Sequence, residues 1–289
     1  IYITSNANLL KLDKVYIISG VIFNGDRYKA NGFTSYSANN FTPSLELQIV
    51  PVRQVKFYAS YLYKERLPYV YEKYINGSYF YNNYFVQFVP NYNLKKEKSN
   101  QFKGGVNLSL DLDQKKIKLA ANISAFYYKI GNYIDYNFLD KNTVQFSNII
   151  RGTLKGYNAS LGANIYGWQN QITYTWVKGV DDGGNNLNNL FPSNLVVDSA
   201  FAIPSLNIKP GIRARFFNRF SNFNNNYPFS KNKLPGYRLF DVYLEYVAFN
   251  NNLSLEIGIE NLFNKKYQLP YSSNIYKDRT YFLNFTLKV

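Results

Sequence analysis

The chain has 289 residues, a formal net charge of +15 at pH 7, and no Cys, His or Met. Their absence excludes disulfides, thiol catalysis, thiolate or imidazole zinc sites and a Ser-His-Asp arrangement, so we expect no enzyme and no cofactor. Aromatic residues make up 19% of the sequence, yet no apolar run approaches the roughly 20 residues that a membrane helix needs. Membrane-spanning helices are therefore excluded.

Alternation of apolar and polar residues predicts strands along the chain. Val106, Leu108 and Leu110 alternate with polar residues, and after a brief turn Ile117 to Ala125 continue the pattern. These two strands form a predicted hairpin. The other alternating segments are Val15 to Asn24, Ser44 to Val50, Val55 to Arg66, Thr143 to Tyr166 as one long strand, Gln171 to Gly179, Asn194 to Ala202, Asn207 to Asn218, Gly236 to Ala248, Leu253 to Asn261 and Arg279 to Val289.

The predicted connections alternate between short and long. A soluble sandwich has no reason to collect every long connection at one end, whereas transmembrane barrels have short periplasmic turns and long outer loops. We therefore predict an all-β fold: an antiparallel transmembrane β-barrel with meander topology, of which about 12–13 strands are present. The short turns lie near Pro51, Gln114, Trp168, Pro204 and Asn251, and the long connections run over Gly25 to Pro43, Leu67 to Ser99, Val180 to Ser193, Arg219 to Pro235 and Leu262 to Asp278.

The last predicted strand separates a lipid face from a lumen face. Tyr281, Leu283 and Phe285 share one parity, and Asn284 and Thr286 share the other. A Lys or Arg on the lipid face near the midplane costs roughly 2–4 kcal/mol, and none has that parity here. Because backbone groups in lipid must all be paired, such strands require closure into a barrel.

Several motifs resemble those of TonB-dependent receptors. The C-terminal signature of that family is similar to the segment that contains Asn261, Leu262, Phe263 and Tyr267, followed by Arg279 before the last strand. Upstream motifs occur in the family's order over nearly the whole chain. They are Asn91-Tyr92-Asn93-Leu94-Lys95-Lys96-Glu97-Lys98-Ser99, Ser124-Ala125-Phe126-Tyr127-Tyr128 followed by Tyr133-Ile134, Leu154-Lys155-Gly156 and Pro235-Gly236-Tyr237.

The resemblance implies a receptor for active uptake, located in the bacterial outer membrane and in contact with its lipid. Residues 1–289 would form the C-terminal portion of one barrel of about 22 strands. Ile1 opens the sequence without a start Met or a signal peptide, so we expect a fragment that lacks the N-terminal plug domain and the segment that contacts the TonB complex. A passive porin-like channel and a β-rich surface adhesin remain alternatives.

The basic charge has two interpretations. Taken alone, it suggests nucleic acid or an anionic surface as a partner. Lys, Asn, Tyr, Ile and Phe are abundant together, however, as an A+T-rich genome would produce. Because the basic residues are dispersed and no RRM, KH or OB signature is present, we expect no nucleic-acid partner.

The family's cargo sets the expected ligand. Siderophores and other iron complexes are its commonest cargo, so by analogy we expect one of these. Haem is the runner-up, since Gly183 to Ser193 and the region of Asn93 and Leu94 resemble haem receptors, although without His only Tyr remains as a haem-iron ligand here. Vitamin B12, sugars and peptides stay open.

We expect the principal ligand contacts in the connection from Leu67 to Ser99. Tyr79, Tyr81 and Tyr84 lie in it, and Lys64 and Arg66 precede it with lumen parity. Tyr rings suit planar iron-chelating groups, and cations offset the negative charge of a chelate. Alternatively, these rings pack on one another or form the interfacial girdle of a barrel.

A basic ladder is predicted on the lumen face of one strand, formed by Lys209, Arg213, Arg215 and Arg219, which share a parity. It has the charge for an anion path. We favour a structural interpretation, because Asp198, Asp241 and Glu245 on neighbouring strands have the same facing and are expected to form cross-strand ion pairs.

Overall fold

The fold is described from a computed structural model of the chain. It covers residues 2–12, 14–28, 36–81, 84–188, 190–221, 233–248, 252–270, 275–276 and 278–287. Within these ranges the side chains of 2–12, 24–28, 36–38, 80–81, 84 and 275–276 are not described.

One antiparallel sheet dominates the described part of the chain, and each of its thirteen strands pairs with the next along the sheet. This order confirms the predicted meander. The two edge strands do not pair with each other in the described residues, so the sheet is an open part of a barrel. Its strands are β1 (Tyr2–Leu12), β2 (Val15–Tyr28), β3 (Tyr36–Val52), β4 (Val55–Arg66), β7 (Glu97–Leu112), β8 (Ile117–Phe138), β9 (Thr143–Ile165), β10 (Trp168–Asp181), β11 (Asn194–Phe201), β12 (Ile208–Phe217), β13 (Tyr237–Ala248), β14 (Leu253–Glu260) and β17 (Thr280–Leu287).

Four further strands lie off this path. β5 (Gly77–Tyr81) and β6 (Tyr84–Val89) form a hairpin, and β6 also pairs with β9 in parallel. β15 (Tyr267–Gln268) and β16 (Ile275–Tyr276) form a separate two-stranded ladder. The parallel pair is an exception to the purely antiparallel meander that the sequence predicted.

Helical structure is scarce in the described residues. α1 (Val70–Tyr74) has five residues, and a 3₁₀ turn covers Pro204–Leu206. Neither is long and apolar enough to cross a membrane.

The connections are short at one end of the sheet, and most of those at the other end are longer. At the turn end, β9 and β10 are joined by Tyr166 and Gly167, whose φ angles of 50° and 88° match the two-residue hairpin turns that suit twisted strands. At the opposite end, which we call the loop end, residues 67–96 and 182–193 separate consecutive strands of the sheet.

Several strands extend further toward the loop end than alternation predicted. The predicted connection Gly25 to Pro43 is wrong over most of its length, because β2 continues to Tyr28 and β3 begins at Tyr36. β7 begins at Glu97, so the predicted connection Leu67 to Ser99 ends three residues later than the real one. β8 continues to Phe138, and only residues 139–142 join it to β9.

The two faces of the sheet differ in polarity. In the pairing of β14 with β17, Leu255 lies opposite Phe285 and Ile257 opposite Leu283, whose side chain is 66% exposed. The opposite face presents Glu256 opposite Asn284. We call these the apolar face and the polar face, and they match the lipid and lumen parities predicted for the last strand.

A glycine on the polar face makes room for an aromatic ring. Gly211 lies opposite Tyr243 in the pairing of β12 with β13, and a Cβ at Gly211 would come within 2.2 Å of the Tyr243 ring. The phenol of Tyr243 donates to Asp198 Oδ1 at 2.7 Å. The Tyr243 side chain thus reaches from β13 across β12 to β11, and it can do so because Gly211 has no Cβ.

We expect Gly211→Val to reduce the yield of folded barrel in the complete receptor. The added side chain must displace the Tyr243 ring, and overpacking of this kind costs about 1–3 kcal/mol. The measurement is the heat-resistant fraction on gels. Gly162→Val is the matched control, because a Cβ at Gly162 meets nothing closer than 3.9 Å; equal yields of the two variants would contradict the expectation.

Candidate functional site

The β8–β9 hairpin is the longest feature of the sheet. Its strands have 22 and 23 residues, so β9 extends roughly 75 Å at 3.3 Å per residue. A tilted barrel strand needs only about 9–11 residues to cross a bilayer. About half of the hairpin therefore projects at the loop end as a platform.

Residues 67–96, which we call the docked loop, fold against this platform. The backbone of β6 adds to β9, with Gln87 opposite Thr143 and Val89 opposite Gln145. The Gln87 amide also donates to Asn142 O at 2.7 Å. Further along, Asn91 Nδ2 donates to Phe146 O at 2.8 Å. The docked loop is thus an added strand of the platform and not a free excursion.

Apolar side chains seal the contact between the docked loop and the platform. Leu94, Ile134 and Phe146 are buried together. Phe88 and Tyr136 pack against them. Burying a side chain of this size contributes about 1.5–3 kcal/mol, so this small core holds the docked loop in one position.

An ion-pair network fixes the base of the docked loop. Arg66, at the end of β4, donates to Glu97 Oε2 at 2.7 Å and to Glu72 Oε2 at 2.9 Å. The other oxygen of Glu97 accepts from the Ile134 amide at 2.7 Å. Arg66 therefore joins β4, α1 and β7, while Glu97 extends the network to β8.

The five residues predicted to contact the ligand have different surroundings. Arg66 is committed to the ion pairs just described. Lys64 has the same facing and is exposed, and it has no ion pair in the described residues. Tyr79 is about half exposed and meets Phe88 edge-on at 5.5 Å. Tyr81 and Tyr84 pair at the tip of the β5–β6 hairpin, and their side chains lie outside the described set.

The aromatic residues of the docked loop combine packing with exposure. Tyr69 and Tyr71 stack at 5.6 Å, and Tyr71 meets Phe146 edge-on at 5.8 Å. Each of these two tyrosines is nevertheless about half exposed, as are Phe85 and Tyr92. The predicted ring packing is thus present, and it leaves aromatic surface available to a ligand.

A second loop, residues 182–193, attaches to the same platform. Asp135 of β8 accepts from the Asn188 amide at 3.0 Å and from Asn188 Nδ2 at 2.9 Å. Burial raises the pKa of Asp135, and the N–H groups of Asn188 and Tyr136 that point at it oppose that shift. Leu187 is fully buried against Gly152 and Gly179. Both loops therefore rest on one hairpin.

The predicted basic ladder is largely neutralised on the polar face. Arg213 Nε lies 2.6 Å from Asp198, Arg215 lies 2.9 Å from Asp241, and Lys209 pairs with Glu245. Arg219 follows β12 and is exposed, and it lines a cavity of about 500 Å³ between the loop-end edges of β10 to β13. The pairs are those that the structural interpretation anticipated.

The C-terminal motif forms a turn that ties three strands together. Asn261 donates to Asp241 Oδ1 at 2.9 Å through its amide, and Leu262 donates to Phe240 O at 2.7 Å. Arg279 Nε donates to Leu262 O at 2.9 Å.

The aromatic rings of the motif also pack on neighbouring rings. Phe263 lies edge-on to Phe240 at 5.5 Å, and Tyr267 stacks on Tyr237 at 4.6 Å. These contacts give the motif a structural role.

Sequence reasoning missed the buried polar residues of the docking contacts. Glu72, Asp135 and Asn188 are each at most 5% exposed, and none was singled out. In the sequence, Asp135 stands among aromatic and apolar residues, and this setting is the signal that could have identified it as a buried carboxylate. Glu97 was noticed only as part of a family motif. The partners of Glu97 and Asp135 lie 31 to 53 residues away in the sequence. Glu72 binds Arg66, six residues away, across a loop fold that alternation does not report.

A family model matches most of this architecture. The model described as TonB dependent receptor-like, beta-barrel, matches residues 7–262. The chain belongs to the TonB-dependent receptor family. This family comprises receptors and transporters of the outer membrane, and its apolar barrel face is the outside.

Two curated relatives match the chain at low sequence identity. The chain is 24% identical over 267 residues to "Heme/hemopexin utilization protein C" of Haemophilus influenzae strain 86-028NP, with 86% of this chain and 37% of that protein covered. The same protein of strain ATCC 51907 is 23% identical over 278 residues, with 86% and 38% covered. The chain thus spans little more than a third of these relatives.

Solved structures share the fold at low identity. The copper transporter OprC superposes with a TM-score of 0.76 at 14% identity, covering 98% of this chain and 47% of that one. The FrpB iron transporter of Neisseria meningitidis, F3-3 variant, gives 0.64 at 16% identity over 96% and 43%. The ferric-catecholate import receptor Fiu of E. coli K12 gives 0.63 at 18% over 96% and 42%.

We expect Asp135→Ala to release the second loop from the platform. Losing the hydrogen bonds to Asn188 should favour local opening by about 2–3 kcal/mol, or roughly 30- to 150-fold. The measurement is the rate of chymotrypsin cleavage at exposed Phe191 in the complete receptor.

Asp140→Ala provides the control on the same hairpin. Asp140 is exposed and, among the described residues, accepts from Asn142 and Thr143 of its own turn. Cleavage at Phe191 should stay at the wild-type rate in this variant. Similar rates in the two variants would show that Asp135 does not hold the second loop.

Proposed function

We propose that the complete protein is a receptor and transporter for TonB-dependent uptake of an iron complex across the bacterial outer membrane. The observation that carries the proposal is the built surface at the loop end, where two loops are docked on one projecting hairpin of a barrel that belongs to this family. External loops held in one position can recognise a ligand without first having to be ordered.

The docked loop supplies the chemistry for the cargo. Its half-exposed rings, Tyr69, Tyr71, Tyr79 and Tyr92, offer broad apolar faces with hydrogen-bonding tips. Below the docked loop, on the polar face, Lys64 adds a cation that has no ion-pair partner in the described residues. These features suit a planar, negatively charged chelate, so a ferric siderophore is the first candidate.

Haem is the second candidate because both curated relatives are named for haem and hemopexin utilization. Haem is also planar and carries two carboxylates, so the same aromatic and cationic surface suits it. The chain contains no His, and iron ligation from this part would fall to Tyr.

The transport step needs parts beyond this chain. We propose that an N-terminal plug domain completes the ligand site and that the TonB complex acts on it, with outer-membrane lipid around the apolar face. A passive porin-like channel or a surface adhesin would share the barrel but would give no energised uptake, so dependence on TonB separates the proposal from both.

The test is uptake by the complete receptor in an iron-starved host. Radiolabelled ferric catecholate siderophore, haem and Cu²⁺ are offered separately, with and without TonB. The proposal expects one of the two iron compounds to accumulate only when TonB is present. TonB-independent entry would favour the channel, and accumulation of none would contradict the proposal.

The docked loop is tested in the same host by replacing Tyr79, Tyr81 and Tyr84 together with Ala. We expect affinity for the transported compound to fall about tenfold or more, since each aromatic contact of this kind contributes about 0.5–1.5 kcal/mol beyond its buried area. Equilibrium binding to the purified receptor measures it.

Tyr157→Ala combined with Tyr246→Ala is the control, because both tyrosines are partly exposed on the apolar face and within strands. The control should retain wild-type affinity. Unchanged affinity in the triple variant would remove the hairpin tip from the site, while loss of the heat-resistant barrel would assign its aromatics to structure.

A further inference from the structure

Three neighbouring strands show the same change of chemistry on the apolar face. On β9, Ile165, Leu161 and Tyr157 lead from the turn end toward Lys155 with one parity. On β10, Trp168, Ile172 and Trp176 lead to Lys178. On β8, Ile117, Ile123 and Tyr127 lead to Lys129. In each strand an apolar run ends in an aromatic ring, and a lysine follows.

The position of these lysines matches the edge of a bilayer. Lys155 and Lys178 are the eleventh residues of their runs counted from Ile165 and Trp168, and a barrel strand needs about 9–11 residues to cross the hydrocarbon. Tyr157 stacks on Trp176 at 5.3 Å and on Tyr174 at 5.7 Å, directly below the lysines. Such aromatic rings occupy the membrane interface.

These three lysines and Arg151 form a compact group, which we call the rim patch: Lys129, Arg151, Lys155 and Lys178. Lys155 is directly opposite Lys178 in the β9–β10 register. Lys129 is opposite Thr153, so Arg151 and Lys155 are its two diagonal neighbours. Diagonal neighbours lie about 7–8 Å apart and direct neighbours about 5 Å. Four positive charges therefore share one small surface.

Nothing in the described protein neutralises this patch. All four side chains are exposed, and none forms an ion pair within the described residues. Asp182 continues the parity of Lys178 beyond β10 and pairs with none of them. Like charges directly opposite each other destabilise a sheet. The ladder on the polar face, by contrast, pairs its cations with carboxylates.

We propose that the rim patch binds the phosphate groups of an outer-leaflet lipid, with the acyl chains lying on the apolar residues below. The inference rests on the proposed outer-membrane location. Charge complementarity identifies the occupant, because the patch is cationic, lies at the edge of the apolar band and continues directly into aromatic side chains. A second copy of the chain would bring a patch of the same sign.

The test uses the complete receptor purified in mild detergent and titrated with lipid A that carries two phosphates, with binding followed by native mass spectrometry. In Lys155→Gln/Lys178→Gln the affinity should fall roughly 30-fold, since each basic residue near an anionic lipid surface contributes a factor of about five. Lipid A without phosphates should bind the wild type as weakly as the intact lipid binds this variant.

Lys103→Gln/Lys118→Gln is the matched control. It removes the same charge from neighbouring strands, but both lysines have the parity of the polar face. The control should bind lipid A as the wild type does. Equal weakening in both variants, equal binding of the dephosphorylated lipid, or displacement by an equal concentration of inorganic phosphate would each overturn the rim patch as a lipid site.

Failure of this inference is distinguishable from failure of the proposed function. Fractionation of cells and ligand uptake are measured on the same variants. The variant with Lys155 and Lys178 replaced could reach the outer membrane, transport normally and still bind lipid A as the wild type does. That result would overturn the rim patch alone. A receptor absent from the outer membrane contradicts the proposed function itself.

Discussion

The surplus length of the β8–β9 hairpin is the constraint on which the loop end depends. A hairpin that stopped at the edge of the bilayer would offer no backbone to β6 and no Asp135 to the second loop. Because the two strands pair with each other over almost their whole length, the projecting part satisfies its own hydrogen bonds. It can therefore stand clear of the membrane and still hold both loops in place.

The two faces of the sheet deal with charge in different ways. On the polar face, Arg213 and Arg215 lie against Asp198 and Asp241, so the ladder is close to neutral. At the loop end, Arg66 forms ion pairs with Glu72 and Glu97. Lys64 and the four rim-patch residues are among the cations of the described chain that form no ion pair.

Alternation predicted the strands well wherever one face is apolar. Val55–Arg66 agrees at both ends, and the long strand Thr143–Ile165 was anticipated within one residue. The same signal failed beyond the apolar band, as in residues 126–138 of β8, because there both faces meet water or other protein and the polarity no longer alternates. The fold of the docked loop was not predicted for a different reason. Its fold depends on Leu94, Glu97 and Phe146, which are brought together only by the tertiary structure.

We infer that the docked loop and the second loop are already seated on the platform before ligand arrives. The measurement is hydrogen exchange of the complete receptor without ligand. It is read at the backbone amides of Gln87, Ile134 and Asn188, which donate to Asn142, Glu97 and Asp135. We expect slow exchange at all three amides, comparable to that of the barrel strands. Exchange at the rate of an unstructured peptide, slowed only on adding the iron compound, would contradict it.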